Sequence, residues 1–327
     1  MIISKTPLRV SFAGGGSDIS DYYLSNYGSV VSTAIDKFMY VAVNRTFDHH
    51  IRVIYSIIEY VEKFEDIEHD LAREALKLVG ITDAGIDIAY MGDMLPAHTG
   101  SGLGASSSLT VGILNALHAY KGEHVSAKTL AEEACRIEIE ILGRPIGKQD
   151  QYAAAYGGFN YMRFNKDESV SVEPIIYSMQ MKDALEKNLI LFYTGLDTRS
   201  DNILTEQKRK TPDNLAILDR MVGLSEELRK AIKNNDLTGF GGILHKGWIC
   251  KQKLATNITN PTIDDSYQKA REAGAIGGKV LGSGGGGFLL LYCEEKNRNK
   301  VREALSSLRE APFRFESQGS KIVYTSD

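Results

Sequence analysis

A glycine- and serine-rich segment, residues 96–108, reads PAHTGSGLGASSS and runs directly into a helical pattern that begins near Leu109. Glycines let the backbone approach a polyphosphate closely, and the N–H groups at a helix N-terminus attract anions. Serine hydroxyls can contact phosphate or a magnesium ion. The segment therefore predicts a phosphate-binding loop, with a flexible loop that binds nothing as the structural alternative.

The same glycines also fit a second kind of nucleotide site. Gly100, Gly102 and Ala105 have the spacing of the dinucleotide-binding fingerprint G-x-G-x-x-G/A. That fingerprint follows a strand directly, whereas a proline and polar residues separate these glycines from the nearest predicted strand. A P-loop sequence is not present, because residues 143–148 place three residues rather than four between their glycines and Gln149 follows the lysine. A dinucleotide-dependent oxidoreductase stays open as the less favoured alternative.

Two further glycine clusters could approach a ligand. Residues 282–287 read GSGGGG, follow Lys279 and precede an apolar run. Because a strand rather than a helix follows them, we interpret them as a tight connection held against a ligand, with a long hairpin turn as the alternative. Near the N-terminus, Arg9 precedes the sequence AGGGSD that ends at Asp18, so a cation and a carboxylate flank a permissive backbone. Asp18 could also simply cap a turn.

Composition and charge narrow the classes of function. The 327 residues suffice for two domains or one large one, and 43% hydrophobic and 24% charged residues are typical of globular proteins. Lys and Arg number 38 against 42 Asp and Glu, so the net charge of −4 provides no overall positive field for nucleic acid. Cys135, Cys250 and Cys293 show no metal-binding or redox spacing. We recognise no secretion signal or membrane span and expect a cytoplasmic protein without nucleic-acid or membrane partners.

Apolar periodicity predicts mixed α and β structure in both halves of the chain. In the first half, we expect strands over residues 30–46, 51–55, 86–91, 159–164 and 170–176, and helices over residues 68–79, 109–118 and 130–142. In the second half, we expect strands over residues 189–194, 276–281, 288–293, 313–315 and 321–324, and helices over residues 203–210, 216–233, 237–254 and 296–308. A lysine-rich stretch at residues 182–187 predicts a boundary between domains of residues 1–182 and 183–327.

Taken together, residues 7–18, 96–108 and 277–288 resemble the three ordered motifs of the GHMP kinases, a superfamily named after galactokinase, homoserine kinase, mevalonate kinase and phosphomevalonate kinase. The resemblance covers essentially the whole chain. It implies an α+β, two-domain fold, with an N-terminal domain similar to the second domain of ribosomal protein S5 and a ferredoxin-like C-terminal domain. It also implies that ATP binds between the two domains, held by the middle motif.

The resemblance implies roles for individual residues. The middle motif implies an ATP-binding loop made of Gly100, Ser101, Gly102, Leu103, Gly104, Ala105, Ser106, Ser107 and Ser108. Residues 138–151 resemble, without gaps, the galactokinase segment that ends in Asp-Gln, which implies a magnesium-binding Glu138 and a catalytic Asp150. Ser106 matches a second magnesium ligand of relatives, and Arg9 would offset charge on the transferring phosphoryl group. Ala105 departs from the usual first serine of the motif, which affects one phosphate-contacting hydroxyl and not the metal ligand.

Differences from the galactokinase motif narrow the range of sugars that can be the phosphoryl acceptor. Gly15 and Gly16 stand where a Glu-His pair contacts the sugar in galactokinases, so galactose is disfavoured. Residues 6–18 and 146–152 look like the D-glycero-D-manno-heptose 7-phosphate kinases. That likeness implies transfer from ATP, with Mg²⁺, to the anomeric oxygen, and a heptose 1,7-bisphosphate as product. The expected substrate-binding residues are Gly15, Gly16, Ser17, Asp18, Arg199, Gly284 and Gly285.

Two points stay open in the sequence. An acceptor that already carries a phosphate needs a cation to bind it, and the candidates are Arg199, Lys148, Arg52 and Lys279. The function also has alternatives, namely a kinase of the same family acting on another sugar such as fucose, or a nonenzymatic sensor that binds sugar and ATP. Retention of the predicted catalytic and metal-binding residues argues against the sensor.

Overall fold

The structure, a computed structural model, describes residues 1–82, 85–94, 102–196 and 200–326. Gly100, Ser101 and Arg199, which have expected roles, lie outside the described residues. Within the described ranges, no helix combines the length and the apolar character needed to cross a membrane.

The first half of the chain builds a large sheet with helices packed on it. Its elements in chain order are β1 (Ile2–Ala13), α1 (Ser20–Tyr23), β2 (Gly28–Arg45), β3 (Ile51–Ile54), β4 (Ile58–Val61), α2 (Asp70–Val79), β5 (Ile86–Gly92), α3 (Ala105–Tyr120), α4 (Ala127–Cys135), α5 (Gln149–Tyr156), β6 (Phe159–Phe164) and β7 (Val170–Pro174). A π-helical segment, Arg136–Ile141, continues α4 directly.

The second half builds a smaller sheet and then returns to the first. Its elements are α6 (Met179–Asn188), β8 (Leu189–Tyr193), α7 (Ser200–Arg209), α8 (Leu215–Lys233), α9 (Leu237–Lys251), α10 (Pro261–Glu272), β9 (Ala275–Val280), β10 (Phe288–Cys293), α11 (Arg298–Ala304), β11 (Arg309–Glu310), β12 (Phe315–Glu316) and β13 (Lys321–Thr325). The smaller sheet has the order β11-β8-β10-β9 and is antiparallel throughout. This order and the β-α-β-β-α-β succession define a ferredoxin-like arrangement.

The first sheet is organised around β1 and β2, which are buried along most of their length. Its order is β13-β1-β2-β5-β3-β4, and only β3 and β5 run parallel among the described pairs. The long β2 pairs with β6 near its start and with β5 near its end, so it bends across the sheet. The register between β1 and β2 shifts after Pro7, where a proline cannot donate a ladder hydrogen bond. Arg9 follows this irregularity and lies in the middle of the sheet.

Helix α3 lies on the first sheet and is apolar almost all round, with buried residues from Ser107 to His118. The hydroxyl of Ser4 in β1 donates to the carbonyl of Gly112 in α3 at 2.7 Å, which fixes the helix against the strand. Because α3 is packed against the protein on nearly every side, neither its axis nor its first turn can shift easily. The N-terminus of α3, the end that can attract anions, is therefore held rigidly at one edge of the core.

The expected mixed α and β architecture is confirmed, and three of the differences have a clear cause in the sequence. The patterns missed β1 because Lys5, Pro7 and Arg9 interrupt its apolar residues. They also missed α10, although Asn260 followed by Pro261 is a recognised helix start and the Asn260 side chain caps the helix. The lysine-rich residues 182–187 belong to α6, which the Ser178 side chain caps.

The last strands of the chain complete the first sheet. Phe315 in β12 lies opposite Ile35 in β2, and Tyr324 in β13 lies opposite Ile3 in β1. The division between residues 182 and 183 stays a proposal, in which the end of the second domain packs on the sheet of the first.

Candidate active site

Two adjoining cavities are lined by residues from both halves of the chain. The larger cavity, about 660 Å³, contains Asp70, Gly102, Gly104, Ala105, Ser106, Ser107, Glu138, Leu142, Arg144, Ser200 and Asp201. The smaller cavity, about 100 Å³, contains Ser11, Gly15, Gly16, Asp18, Ile19, Gly147, Gln149, Gln207, Lys251 and Lys279. Both cavities are also lined by Arg9, Ile146, Asp150, Leu204, Gly282 and Ser283.

Arg9 and Asp150 form a bidentate ion pair where the two cavities meet. Arg9 Nε and Nη2 donate to the two carboxylate oxygens of Asp150, each at 2.7 Å, and Arg9 Nη1 donates to the carbonyl of Gly102 at 2.6 Å. Arg9 is 4% exposed and the Asp150 side chain 25% exposed. Each guanidinium nitrogen thus has a partner, and both the guanidinium and the carboxylate line the cavities. A carboxylate held in this way can orient a hydroxyl group or accept its proton.

The glycines of the middle segment let it approach the second half of the chain. Gly102 has a φ of +72°, and a side chain there would place its Cβ 2.7 Å from the carbonyl oxygen of Leu281. Gly104 precedes α3, and no side chain caps the first N–H groups of that helix. These groups and the positive end of the helix dipole face the larger cavity, which is the arrangement that binds phosphate in many proteins.

A buried carboxylate and a hydroxyl group meet at the far side of the larger cavity. Glu138 is fully buried within the π-helical segment, and the Ser106 hydroxyl donates to its Oε1 at 3.0 Å. Gln151 donates to the other carboxylate oxygen at 2.7 Å. Burial raises the pKa of Glu138, and hydrogen bonds from Ser107 and Gln151 act against that rise.

A guanidinium group lies on this pair of oxygens. Arg144 Nη1 is 2.7 Å from Ser106 Oγ and 3.4 Å from Glu138 Oε1, while its Nη2 contacts both carboxylate oxygens of Asp70 at 3.1 and 3.0 Å. Ser106 and Glu138 therefore already accommodate a positive charge, and hydroxyl and carboxylate oxygens are ligands that Mg²⁺ prefers. The residues fit a magnesium site.

Asp18 connects the N-terminal glycine turn to the start of α5. Its carboxylate accepts from the backbone N–H of Gly16 at 2.9 Å and from that of Gln149 at 3.2 Å. Gly147 allows this approach, because a Cβ there would lie 2.0 Å from Asp18 Oδ2. Burial raises the pKa of Asp18, and the nearby charge of Asp150 raises it further.

Two buried lysines line the smaller cavity. Lys251 Nζ donates to the carbonyls of Val280 and Gly282 in the second glycine segment. Lys279 is 5% exposed, and the one hydrogen bond of its ammonium within the described residues reaches the Phe12 carbonyl at 3.5 Å. Burial, and then the charge of Arg9, lower the pKa of Lys279 to about 7.

We expect Lys279→Met to stabilise the ligand-free protein near neutral pH. Because the pKa of Lys279 falls from 10.5 to about 7 on folding, the unfolded chain binds the extra proton between those pH values, and stability rises with pH across that window. The burial penalty is therefore largest at pH 7 and below. Methionine removes it, raising the free energy of unfolding at pH 6.5 by roughly 2 to 4 kcal/mol, with a smaller gain at pH 9.5.

Urea unfolding at both pH values measures this effect, with Lys128→Met as the control because that lysine is exposed on α4. A destabilised Lys279→Met protein at pH 6.5 would contradict the expectation.

The structure brings most of the predicted site residues together. Arg9, Asp150, Glu138, Gly15, Gly16, Asp18, Gly102, Gly104, Ala105, Ser106 and Ser107 line one or both cavities. Leu103 is fully buried, and its carbonyl accepts from the Arg9 N–H at 3.0 Å. The hydroxyl of Ser108 points into the core, where it donates to the Pro7 carbonyl at 2.8 Å.

Other predicted residues lie elsewhere. The Ser17 hydroxyl is fully buried and bonds to the backbone of Gly14 and Ser29, so within the described structure it does not line a cavity. Gly284 and Gly285 pack on residues 257–258, and their neighbours Gly282 and Ser283 line the cavities instead.

Three of the four candidate cations for an acceptor phosphate lie within the described residues, and only one of these three lines a cavity described above. Lys279 faces the smaller cavity, whereas Lys148 pairs with Glu168 and Arg52 pairs with Asp87.

The sequence reasoning missed several cavity residues that carry chemistry. These are Ser11, Gln149, Arg144 and Lys251. Gln149 and Arg144 lie inside the segment that resembles galactokinases, so their position beside Glu138 and Asp150 was available as a signal. For Lys251 the sequence contains no such signal, because this residue reaches the site only through the packing of α9 against β9.

Comparisons with known proteins agree with this geometry. The chain matches the GHMP kinases N terminal domain over residues 54–158 and the GHMP kinases C terminal domain over residues 228–310, together more than half of its length. It is 29% identical over 319 residues to the D-glycero-alpha-D-manno-heptose 7-phosphate kinase of Campylobacter jejuni, covering 93% of each chain. It is also 24% identical over 341 residues to the L-fucokinase/L-fucose-1-P guanylyltransferase of Bacteroides fragilis, covering 90% of this chain and 35% of that one.

A solved structure has the same fold over its full length. The crystal structure of a D-glycero-D-manno-heptose 1-phosphate kinase from Bacteroides thetaiotaomicron superposes with a TM-score of 0.82 and 27% identity, covering 100% of both chains. The chain belongs to the GHMP kinases, and like them it uses ATP as the phosphate donor. This membership removes the dinucleotide-dependent oxidoreductase from the alternatives.

Proposed function

We propose that this chain transfers the terminal phosphoryl group of ATP to the anomeric hydroxyl of D-glycero-D-manno-heptose 7-phosphate, giving the 1,7-bisphosphate. The relatives support the coarser statement that it is an ATP-dependent sugar kinase with a small-molecule acceptor. The observation that carries the proposal is the Arg9–Asp150 pair at the junction of the two cavities, in a chain similar over nearly its whole length to a heptose phosphate kinase. The free thiols of Cys135, Cys250 and Cys293 support a cytoplasmic location, where ATP is available.

Asp150 acts on the acceptor hydroxyl. Its carboxylate lies at the start of α5 and faces the smaller cavity, where the sugar binds, as well as the larger cavity, where the triphosphate binds. It aligns the anomeric hydroxyl for attack on the terminal phosphorus and accepts its proton, and an anomeric hydroxyl loses a proton more readily than an ordinary alcohol. Arg9 fixes the carboxylate and offsets negative charge on the group being transferred.

The larger cavity holds the nucleotide phosphates. Backbone N–H groups from Gly102 to Ser106 and the N-terminus of α3 bind phosphate oxygens without any need for a basic side chain. Ser106 and Glu138 hold the magnesium ion. A magnesium ion held there would supply positive charge that offsets the charge of the ATP phosphates. Phosphoryl transfer requires mainly positioning and charge stabilisation, which these residues provide.

The acceptor binds beside the N-terminal glycine turn. Gly15 and Gly16 leave the wall of the smaller cavity without side chains, and the nearest atoms to a Cβ on Gly15 would be those of Gln149 and Ser11. A sugar larger than galactose can occupy space that a glutamate and a histidine fill in galactokinases.

We expect Arg144→Ala to raise the affinity of the ATP-free protein for Mn²⁺ by about 3-fold to 10-fold. The Arg144 guanidinium occupies the oxygens of Ser106 and Glu138, so it competes with a metal ion for them through charge and position. Electron paramagnetic resonance of free Mn²⁺ measures the change. Arg52→Ala is the matched control because Arg52 pairs with Asp87 outside both cavities. Unchanged or weaker Mn²⁺ binding by Arg144→Ala would show that Arg144 does not compete for these oxygens.

A panel of acceptors tests the proposed substrate. ADP release with ATP and Mg²⁺ is measured with the heptose 7-phosphate, mannose 6-phosphate, galactose, fucose and mevalonate. Turnover at least about 100-fold faster with the heptose 7-phosphate supports the proposal. A preference for fucose would retain the assignment as a kinase and change the proposed substrate. The similarity to the Bacteroides fragilis L-fucokinase is the reason to include fucose in the panel. Binding of ATP and sugar without any turnover would favour the sensor.

A further inference from the structure

The smaller cavity contains buried polar atoms that lack partners within the described protein. Ser11 Oγ and Gln149 Oε1 are both buried and have no hydrogen bond. The Lys279 ammonium has three donors and one long contact at 3.5 Å. Buried polar groups are almost always paired, so several unpaired ones lining a single cavity indicate a ligand that pairs with them.

The other charged groups of the cavity are already engaged. Three donors of Arg9 go to Asp150 and Gly102, and two donors of Lys251 go to backbone carbonyls. The carboxylate of Asp18 accepts two backbone N–H groups. Lys279 is the basic side chain of this cavity with the fewest short hydrogen bonds, and an anionic ligand would pair with its ammonium.

We propose that Lys279 binds the phosphate group that the acceptor already carries, and that Ser11 and Gln149 bind hydroxyl groups of its sugar. The inference rests on the proposed function for the identity of the acceptor. Gln149 Oε1 can only accept a hydrogen bond, which a sugar hydroxyl donates, whereas an ammonium and a phosphate attract each other as opposite charges. The same cavity thereby recognises both the phosphate and the hydroxyl groups of a phosphorylated sugar.

Binding of such an acceptor requires the cavity to widen. A volume of about 100 Å³ holds a few water molecules and is smaller than a seven-carbon sugar phosphate. Leu204 and Gln207 of α7 also line this cavity, and the amide of Gln207 lies 2.6 Å from where a Cβ on Gly16 would be. Lys279 lies on β9 in the second sheet and Ser11 on β1 in the first, so these two recognition groups stand on sheet strands, whereas Leu204 and Gln207 stand on a helix.

The phosphate in contact with Lys279 could also come from ATP, as the group being transferred, and binding measurements separate the two sources. Affinities for heptose 7-phosphate and for the unphosphorylated heptose are measured by calorimetry without ATP. We expect Lys279→Met to bind the heptose 7-phosphate about 10-fold to 100-fold more weakly, with unchanged affinity for the unphosphorylated sugar and for a nonhydrolysable ATP analogue. Lys279→Arg should restore part of the loss. Equal losses for both sugars, or a loss confined to the ATP analogue, would overturn the proposal.

Two further variants complete the test. Lys148→Met is the matched control, because it removes a neighbouring lysine that pairs with Glu168, and it should leave both affinities unchanged. Ser11→Ala should lower the affinity for both sugars by a similar factor of about 3 to 10, since it removes a hydroxyl contact and not the phosphate contact. Lack of any effect of Ser11→Ala on either sugar would overturn its part of the proposal.

Inorganic phosphate distinguishes failure of this inference from failure of the proposed function. With the larger cavity filled by the nonhydrolysable ATP analogue, phosphate should raise the thermal stability of the wild-type protein and not that of Lys279→Met. If the wild-type protein does not bind the heptose 7-phosphate but is still stabilised by inorganic phosphate, the proposed acceptor is wrong and the phosphate site at Lys279 is supported. An identical phosphate response in both proteins would overturn the Lys279 site.

Discussion

Asp150→Asn is expected to lower kcat by roughly 1,000-fold or more while the affinity for ATP changes by less than about 3-fold. The asparagine has nearly the same shape, but it cannot accept a proton and it removes the charge that pairs with Arg9. ATP binding depends on a different set of groups, the backbone around Gly104 and the start of α3. Steady-state kinetics and calorimetry with a nonhydrolysable ATP analogue measure the two effects separately.

The matched control for this substitution is Asp87→Asn. Asp87 forms the same bidentate kind of pair with Arg52, on the first sheet and outside both cavities. The Asp87→Asn variant should have a slightly lower free energy of unfolding and an unchanged kcat, because a partly exposed ion pair contributes little to folding. If Asp150→Asn kept full turnover, its carboxylate would have no role in the reaction.

Glu138→Gln is expected to lower kcat/KM for ATP in the presence of Mg²⁺ by roughly 100-fold to 1,000-fold. Glutamine fills the same fully buried space and can keep its contacts with Ser106 and Gln151, so the fold should persist. What it removes is the negative charge that a metal ion requires. Mn²⁺ affinity of the complex with the nonhydrolysable ATP analogue should fall by a similar factor, measured by electron paramagnetic resonance.

The control for this second substitution is Glu74→Gln. Glu74 is also buried, on α2, and it pairs with its neighbour Arg73 rather than lining a cavity. It should leave Mn²⁺ affinity unchanged. If Glu138→Gln bound Mn²⁺ and turned over as the wild-type protein does, the metal would have to be held elsewhere.

The sequence predicted best the parts of the site that are made of contiguous residues. Gly102 to Ser107 form a loop and a helix start, a local backbone geometry for which the types and order of the residues were sufficient. Ser17 and Ser108 belong to the same motifs, yet their hydroxyls point inward and bond to backbone carbonyls. Which way a side chain faces depends on packing against neighbouring strands, and a motif does not contain that information.

The residues that escaped prediction are joined to the site by long-range contacts. Lys251 reaches the glycine segment before β10 from the last turn of α9, and Arg144 joins Asp70 to Ser106 across the larger cavity. Isolated lysines and arginines in a sequence are usually exposed, so only the fold distinguishes these two from the others. The same reason explains why the sequence favoured Arg199 for the acceptor phosphate only by its position after a buried strand, while the structure brings Lys279 to the cavity.

The most direct test of the proposed reaction is phosphorus NMR of the product formed from heptose 7-phosphate, ATP and Mg²⁺. The relatives make this test decisive, since one is named a 7-phosphate kinase and the other a 1-phosphate kinase. The proposed reaction predicts a second phosphorus signal coupled to the anomeric proton, with the original 7-phosphate signal retained. A new phosphate on any other oxygen, or no new phosphate from folded enzyme that binds both substrates, would contradict the account.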